Sequence, residues 1–271
     1  MELLAPHMER WSLLRIQLHQ ASGLPRPRIE LVGRAEKLMT LLLESVTTPY
    51  DQTAVAEFHT PVLQALGMPG SYFRHSYVDP FPQTLMPPML VYIALSKYGP
   101  QHPPLALGDM LRCMFSCEIL SALSLDGLDL DCSHTGPPLV QIEDEPFLRD
   151  GAMHLVAMDG KVIHELDRLL HYPYVGMRYY TRCVNVPVRM FGGSFNICLD
   201  DIAQPTALSS FLAAIEGRVP CNEATITNCD GLQDGVLRVL SQPIPGANPG
   251  DEWPCQRLEE LRLDGCRRFT S

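Results

Sequence analysis

The sequence predicts an α/β fold of repeated strand–helix units, and three observations carry that expectation. Leucines or their substitutes stand at intervals of three, two and three; the spacing recurs along the chain; and one-sided helical patterns fill the gaps between copies. In the last copy, CQRLEELRLDGCRRFTS, the positions are Leu258, Leu261, Leu263 and Cys266, with Phe269 three further on. A strand sends alternate side chains to opposite faces, so Leu261 and Leu263 face one way and Glu260, Arg262 and Asp264 the other. Cys266 is expected to turn inward as a small, weakly polar plug where the chain leaves the strand.

In chain order, KLMTLLLESV places Leu38, Leu41, Leu43 and Val46 on this pattern, and VLQALGM places Leu63, Leu66 and Met68. MLVYIALSKY gives Leu90, Ile93, Leu95 and Tyr98, and ILSALSLDGLDL gives Leu120, Leu123, Leu125, Leu128 and Leu130. AMHLVAMDG around Leu155 and VGMRYYTRC, with Val175, Tyr180 and Cys183, are degenerate copies, and SFNICLD is a plain alternation of Phe195, Ile197 and Leu199. CNEATITNCDGL matches the final motif through Cys221, Ala224, Ile226, Cys229 and Leu232. From 41 through 66, 93 and 123 to 155 the step grows from about 25 to about 32 residues, near or slightly above the period of leucine-rich repeats.

Helical patterns lie between the copies. Leu107, Met110, Leu111 and Met114 fall on one face in LALGDMLRCMFSC, as do Leu208, Phe211, Leu212 and Ile215 in QPTALSSFLAAIEGR, where Thr206 is the expected N-cap. KVIHELDRLLH and LQDGVLRVLSQ are shorter versions. No such unit can bury its apolar face alone, and stacking closes the core. The sequence therefore reads as a leucine-rich-repeat solenoid, a curved parallel sheet with outer helices, of about eight or nine irregular repeats in one domain over residues 1–271. The proline-rich segments 134–146 and 241–254 interrupt the repeats without acting as linkers, because repeat units continue on both sides.

Composition bounds the function. The chain has 271 residues and a formal charge of −10, with a sequence pI near 5.3. Such an acidic balance argues against a general nucleic-acid binder, which needs a basic face. There is no run of 18 apolar residues, and the opening MELLAPHMERW lacks a signal-peptide layout, so no membrane association is expected and the compartment is expected to be cytoplasmic or nuclear. Nine cysteines scattered among apolar segments are expected to be free thiols.

The constellations that could carry chemistry are weak. In HELDRLLH, His164 and His171 stand seven apart around Glu165, too far for the one-turn pair of a zinc protease, and read as a surface helix with incidental histidines. Cys113 and Cys117 share a helical face but have no second pair, which favours buried thiols beside Met114. Asp129, Asp131, Cys132 and His134 imitate a metal cluster but suit a strand entering a polar loop. Ser194 follows two glycines outside the G-x-S-x-G elbow, no phosphate-binding glycine loop is present, and the acidic run QIEDEPFLRD reads as a solvated loop. The sequence offers no catalytic set, no metal site and no cofactor site. The rival expectations are a small hydrolase-like α/β enzyme using His164 or Ser194, and a truncated product without independent function.

RWSLLRIQL near the start, the degenerate leucine repeats and the closing LEELRLDGCRRFT resemble the C-terminal part of fungal F-box proteins with leucine-rich repeats. That resemblance implies a repeat domain that presents a ubiquitination substrate, while an N-terminal F-box docks on the ligase adaptor. MELLAPHMERWSLL is too short to hold an F-box, so the adaptor is not expected to bind this chain. The expected activity is binding of a protein partner through the concave strand face, without catalysis. Its contact residues are Tyr92, Ala94, Ser96, Ala122, Ser124, Asp126, Glu223, Thr225, Thr227, Glu260, Arg262 and Asp264. The last motif has no following helix in the sequence, so self-association through an uncapped C-terminal repeat is also expected.

Overall fold

Alternating apolar residues become parallel strands in the computed structural model, which describes residues 5–19, 23–45, 56–83, 85–133, 136–139, 148, 151–170, 175–186, 194–214, 221–243 and 258–268. The chain divides into two units, residues 1–135 and 136–271, and each is α/β.

The first unit contains β1 (Leu13–Leu18), β2 (Gly33–Arg34), β3 (Thr40–Ser45), β4 (Phe58–His59), β5 (Ala65–Pro69), β6 (Tyr92–Tyr98) and β7 (Ala122–Leu128). Strands β1, β3, β5, β6 and β7 pair in that order, all parallel, and β2 and β4 form a separate short pair. Register puts Leu14, Leu41, Leu66, Ile93 and Leu123 in one row, and the last four are fully buried. A second row runs Met68, Leu95, Leu125. Fully burying one such side chain stabilises by about 1.5–3 kcal/mol, so these ladders dominate the core. Among the described residues, two α-helices lie between these strands. The first, α1 (Gly70–Phe73), runs into a π turn over Arg74–Val78, and α2 (Leu107–Met114) carries the expected apolar face, with Leu107, Met110, Leu111 and Met114 all buried. The first of these has no counterpart among the expected elements. It buries Tyr72, Phe73 and Tyr77, and Arg74 donates to the carbonyls of Pro103 (2.6 Å) and Pro104 (2.9 Å).

The second unit holds β8 (Ala152–Val156), β9 (Val175–Thr181), β10 (Ser194–Asp200), β11 (Glu223–Thr227) and β12 (Glu260–Asp264), parallel and in sequence order. Leu155, Tyr180, Leu199, Ile226 and Leu263 form one inner row. The connecting helices are α3 (Gly160–Leu169), α4 (Pro205–Ala214) and α5 (Asp234–Leu237), the last extended by a 3-10 turn over Arg238–Ser241. Helix α4 begins at Pro205, so Thr206 lies in its first turn and is not the cap. Proline is favoured at the first helical position because its φ is preset and its missing N–H is not needed there. At the entry to α3, Asp159 accepts from the Lys161 N–H at 2.9 Å. Gly160 is obligatory at this point: a Cβ there would stand 1.6 Å from the Asn185 carbonyl oxygen.

One backbone device recurs in both units. Lys97, Gly127, Ala157, Arg182, Asp201, Asn228 and Gly265, each directly after an outward-facing strand residue, have φ between 50° and 63°. This left-handed residue delays the alternation by one place and turns the next side chain inward: Tyr98, Leu128, Met158, Cys183, Ile202 and Cys229 are buried, and Cys266 is half-buried. In the second unit the turned residue also donates its N–H to the neighbouring strand, from Ala157 to Thr181, Arg182 to Asp200, Asp201 to Thr227 and Asn228 to Asp264. The inward cysteines repeat one geometry. Their thiols lie against the carbonyl oxygen of the preceding strand, Cys183 on Leu155 (3.1 Å), Cys229 on Leu199 (3.6 Å) and Cys266 on Ile226 (3.6 Å). The plug expected at Cys266 is therefore present three times.

One inner-row position breaks the apolar rule. The row Met153, Arg178, Ile197, Ala224, Leu261 includes an arginine that is 1% exposed. Helix α3 answers it with Asp167, equally buried, at 2.9 Å, and Arg178 also donates to the Tyr180 hydroxyl at 3.1 Å. Burial works to lower the Arg178 pKa, but Asp167 and Tyr180 outweigh it and hold the guanidinium charged. Burial likewise pushes the Asp167 carboxyl up, against the opposing pull of Arg178.

Two outcomes test this packing. Ile226→Asp should cost at least about 3 kcal/mol, because a lost ladder contact is joined by an unpaired buried charge. Thr225→Ala, on the opposite face of the same strand, should change stability by less than about 0.5 kcal/mol in the same denaturant titration. Asp167→Asn should cost about 3–5 kcal/mol by leaving the arginine charge buried alone, and the double change Asp167→Leu with Arg178→Met should cost less than that single change.

Candidate functional site

The faces opposite the ladders carry the residues singled out for binding. In the first unit, register places Tyr92 beside Ala122, Ala94 beside Ser124 and Ser96 beside Asp126, with Gly67 next to Ala94 and Leu42 next to Gly67. Because this face is built from Gly67, Ala94, Ser96 and Ser124, it sinks into a trough of about 370 Å³. Leu42 and Tyr92 contribute apolar surface to its lining, and Glu44, Lys97 and Asp126 contribute charges. A Cβ at Gly67 would come within 2.7 Å of the Leu42 Cδ2, so the Leu42 side chain would have to shift to admit one. Lys97 donates its Nζ to the Ser45 carbonyl at 2.9 Å, and Glu44 pairs with Arg15 at 3.0 Å. The four residues Tyr92, Ser96, Ser124 and Asp126 thus line one depression.

In the second unit, Glu223, Thr225 and Thr227 on β11 stand directly beside Glu260, Arg262 and Asp264 on β12. Arg262 grips Glu260 with two bonds, at 2.5 and 3.0 Å, which lower the carboxyl pKa and raise that of the arginine. Both groups are solvent-exposed, and a pair of this kind adds little stability. It neutralises part of an otherwise acidic row. The same face continues through residues that sequence reasoning did not single out. Asn196, Cys198 and Asp200 are register partners of Glu223, Thr225 and Thr227, and Tyr179 and His154 follow in the Cys198 row. The His154 and Tyr179 rings lie 4.1 Å apart, tilted by 31°. Burial lowers the His154 pKa, and the two rings together form an aromatic platform. The alternation in AMHLV and MRYYT was the available signal, but their degenerate inner positions obscured it.

The remaining groups do not converge. His164 is exposed on α3, whereas the neighbouring Glu165 is buried and bound by Arg168 at 2.6 and 2.7 Å; His171 lies outside the described residues. Cys113 and Cys117 are buried thiols, each pushed up to about 12, chiefly by burial. Asp131 accepts from the backbone N–H and hydroxyl of Ser133 at 2.9 and 3.0 Å, which makes it a turn residue, and His134 lies outside the described residues. Ser194 opens β10, but its side chain, Gly192, Gly193 and the acidic run apart from the buried Leu148 also lie outside them. Among the described residues no group of three or more acidic, histidine or cysteine side chains could hold a metal ion, and no helix is long and apolar enough to cross a membrane.

No family model, curated protein or solved structure matches the chain.

Burial divides the eight described cysteines, all free thiols, in a way that labelling can read. At pH 8 in the native state, Cys132, Cys198 and Cys266 should react with an aromatic disulfide reagent, and Cys113, Cys117, Cys183, Cys221 and Cys229 only after denaturation. Mass mapping of the labelled peptides checks this.

Proposed function

We propose that the chain is a protein-binding module of the leucine-rich-repeat kind, in which the outward strand face receives the partner. The observation that carries this reading is the trough over β3, β5, β6 and β7, where small side chains in register leave about 370 Å³ open beside Tyr92. Interfaces concentrate their energy in a few apolar or aromatic anchors seated in such depressions, with polar residues around them. A partner side chain of Leu, Met or Phe size suits the apolar lining, and Ser96, Ser124 and Asp126 supply a polar margin. Repeated strand registers, the left-handed residue in or just after each of seven strands and the three cysteine plugs support the repeat reading. In this reading the resemblance to F-box proteins implies a ubiquitination substrate as the partner, with this chain as the substrate-recognition part of an F-box-type receptor lacking its F-box. The acidic composition suits a protein partner better than nucleic acid.

Photocrosslinking from the face tests this. A benzophenone amino acid in place of Tyr92 should give a discrete protein adduct in a cell extract. Ser124→Trp, which fills the trough, should abolish the adduct while leaving the thermal melt within a few degrees. The same probe at Arg112, on the exposed side of α2, should give none. Adducts formed at 112 and absent at 92 would contradict the assignment.

A further inference from the structure

A second cavity in the first unit shares no residue with the strand-face trough and has a different chemistry. It measures about 470 Å³, within the range of small-ligand sites, and Arg28, Thr60 and Tyr77 line it together with Leu85, Met86 and Pro87. Arg28 is only 9% exposed, with φ at 68°. Its guanidinium donates to two neutral carbonyls, from Nε to Ala56 (3.1 Å) and from Nη1 to Ser76 (2.7 Å). Those bonds use two of its five N–H donors. Among the described residues it forms no ion pair: Glu57, which also lines the cavity, is exposed and beyond ion-pair distance. Arginine keeps its proton even when burial lowers its pKa, so a positive charge borders the cavity, favoured by the Glu57 carboxylate but not ion-paired with it.

A second, independent observation points the same way. Thr60 is 5% exposed, and its Oγ1 is buried without a hydrogen-bond partner. A buried polar group left in that state in a native fold calls for a ligand or a water. Burial pushes the Tyr77 phenol well above its ordinary range, so it remains a neutral hydroxyl. In the same lining, Leu85 is 66% exposed and Met86 and Pro87 add apolar wall.

We propose that this cavity binds a monocarboxylate carried on a short apolar body, with the carboxylate on Arg28 and Thr60 and the body against Leu85 and Met86. One cation without an ion pair matches one negative charge, and the nearby Glu57 disfavours a dianion such as phosphate. A free organic acid and the C-terminus of a peptide present the same chemistry.

The test uses the full chain, NMR of the backbone amides of residues 56–61 and 85–88, and four probes: hexanoate, hexanamide, and an Ala-Ala-Leu peptide with a free or an amidated C-terminus. At least one free carboxylate should shift these amides and bind at least about tenfold more tightly than its amide, as a charge-assisted hydrogen bond requires. Binding of hexanoate alone identifies an organic-acid site, and binding of the free-acid peptide alone identifies a C-terminus reader. Arg28→Gln should erase the preference and Thr60→Val should reduce it. Because Arg28 also holds two loop carbonyls, Leu85→Glu on the exposed rim is the decisive variant: both probes lose apolar contact, and the acid, which alone meets the added charge, should weaken severalfold more than the amide. Equal binding of acid and amide, no shift with any probe, or a Leu85→Glu variant that binds the acid as before would overturn the proposal.

Discussion

Parallel register is the constraint from which the other features follow. In a parallel pair each residue has one fixed neighbour, and a slip of one place would carry every apolar side chain to solvent. Leu41, Leu66, Ile93 and Leu123 are register partners, as are Leu155, Tyr180, Leu199 and Ile226, so the inner row of each unit is continuous and buried. The same register lines up Gly67, Ala94 and Ser124 on the other face, and the trough exists because the small residues coincide there. Core and candidate site are two consequences of one alignment.

The structure departs from a plain alternation of inward apolar residues in two ways, and both have a physical reason. The left-handed residue at or near the strand's end adds one residue before the next inward side chain, which lets the strand end with a buried plug. A non-glycine residue in that conformation is strained by about 1 kcal/mol or more, and five of the seven positions are not glycine, so the surrounding hydrogen bonds must offset the strain. Arg178 is the second departure. A charge in an apolar row is tolerable only with a partner, and Asp167 reaches it from α3. Such pairs add little net stability over an apolar pair but fix which elements face one another.

Much of this was legible in the sequence. The three-two-three spacing located β3, β5, β6, β7, β11 and β12 and set their phase, because period two is unambiguous where Leu and Ile occupy the inner positions. Asp167 and Arg178 were not legible as a pair. They belong to different elements, and a lone acid in an amphipathic helix reads as a solvent-facing residue. Helix α1 was hidden because GSYFRHSYV mixes aromatic and polar residues without a clean helical period. The cavity beside Arg28 could not be read either, since it joins side chains separated by up to sixty positions.

Which face of each strand meets solvent decides the position of the binding surface, and two tyrosine comparisons measure it in the native chain. Tyr179 and Tyr180 are adjacent, yet Tyr179 faces outward in the His154 row while Tyr180 is 1% exposed in the core. Tyr92 and Tyr98, at the two ends of β6, differ in the same way. Hydroxyl-radical footprinting with mass mapping should oxidise Tyr179 and Tyr92 several times faster than Tyr180 and Tyr98. Equal or reversed rates within either pair would mean that the register, and with it the binding face, is wrongly assigned.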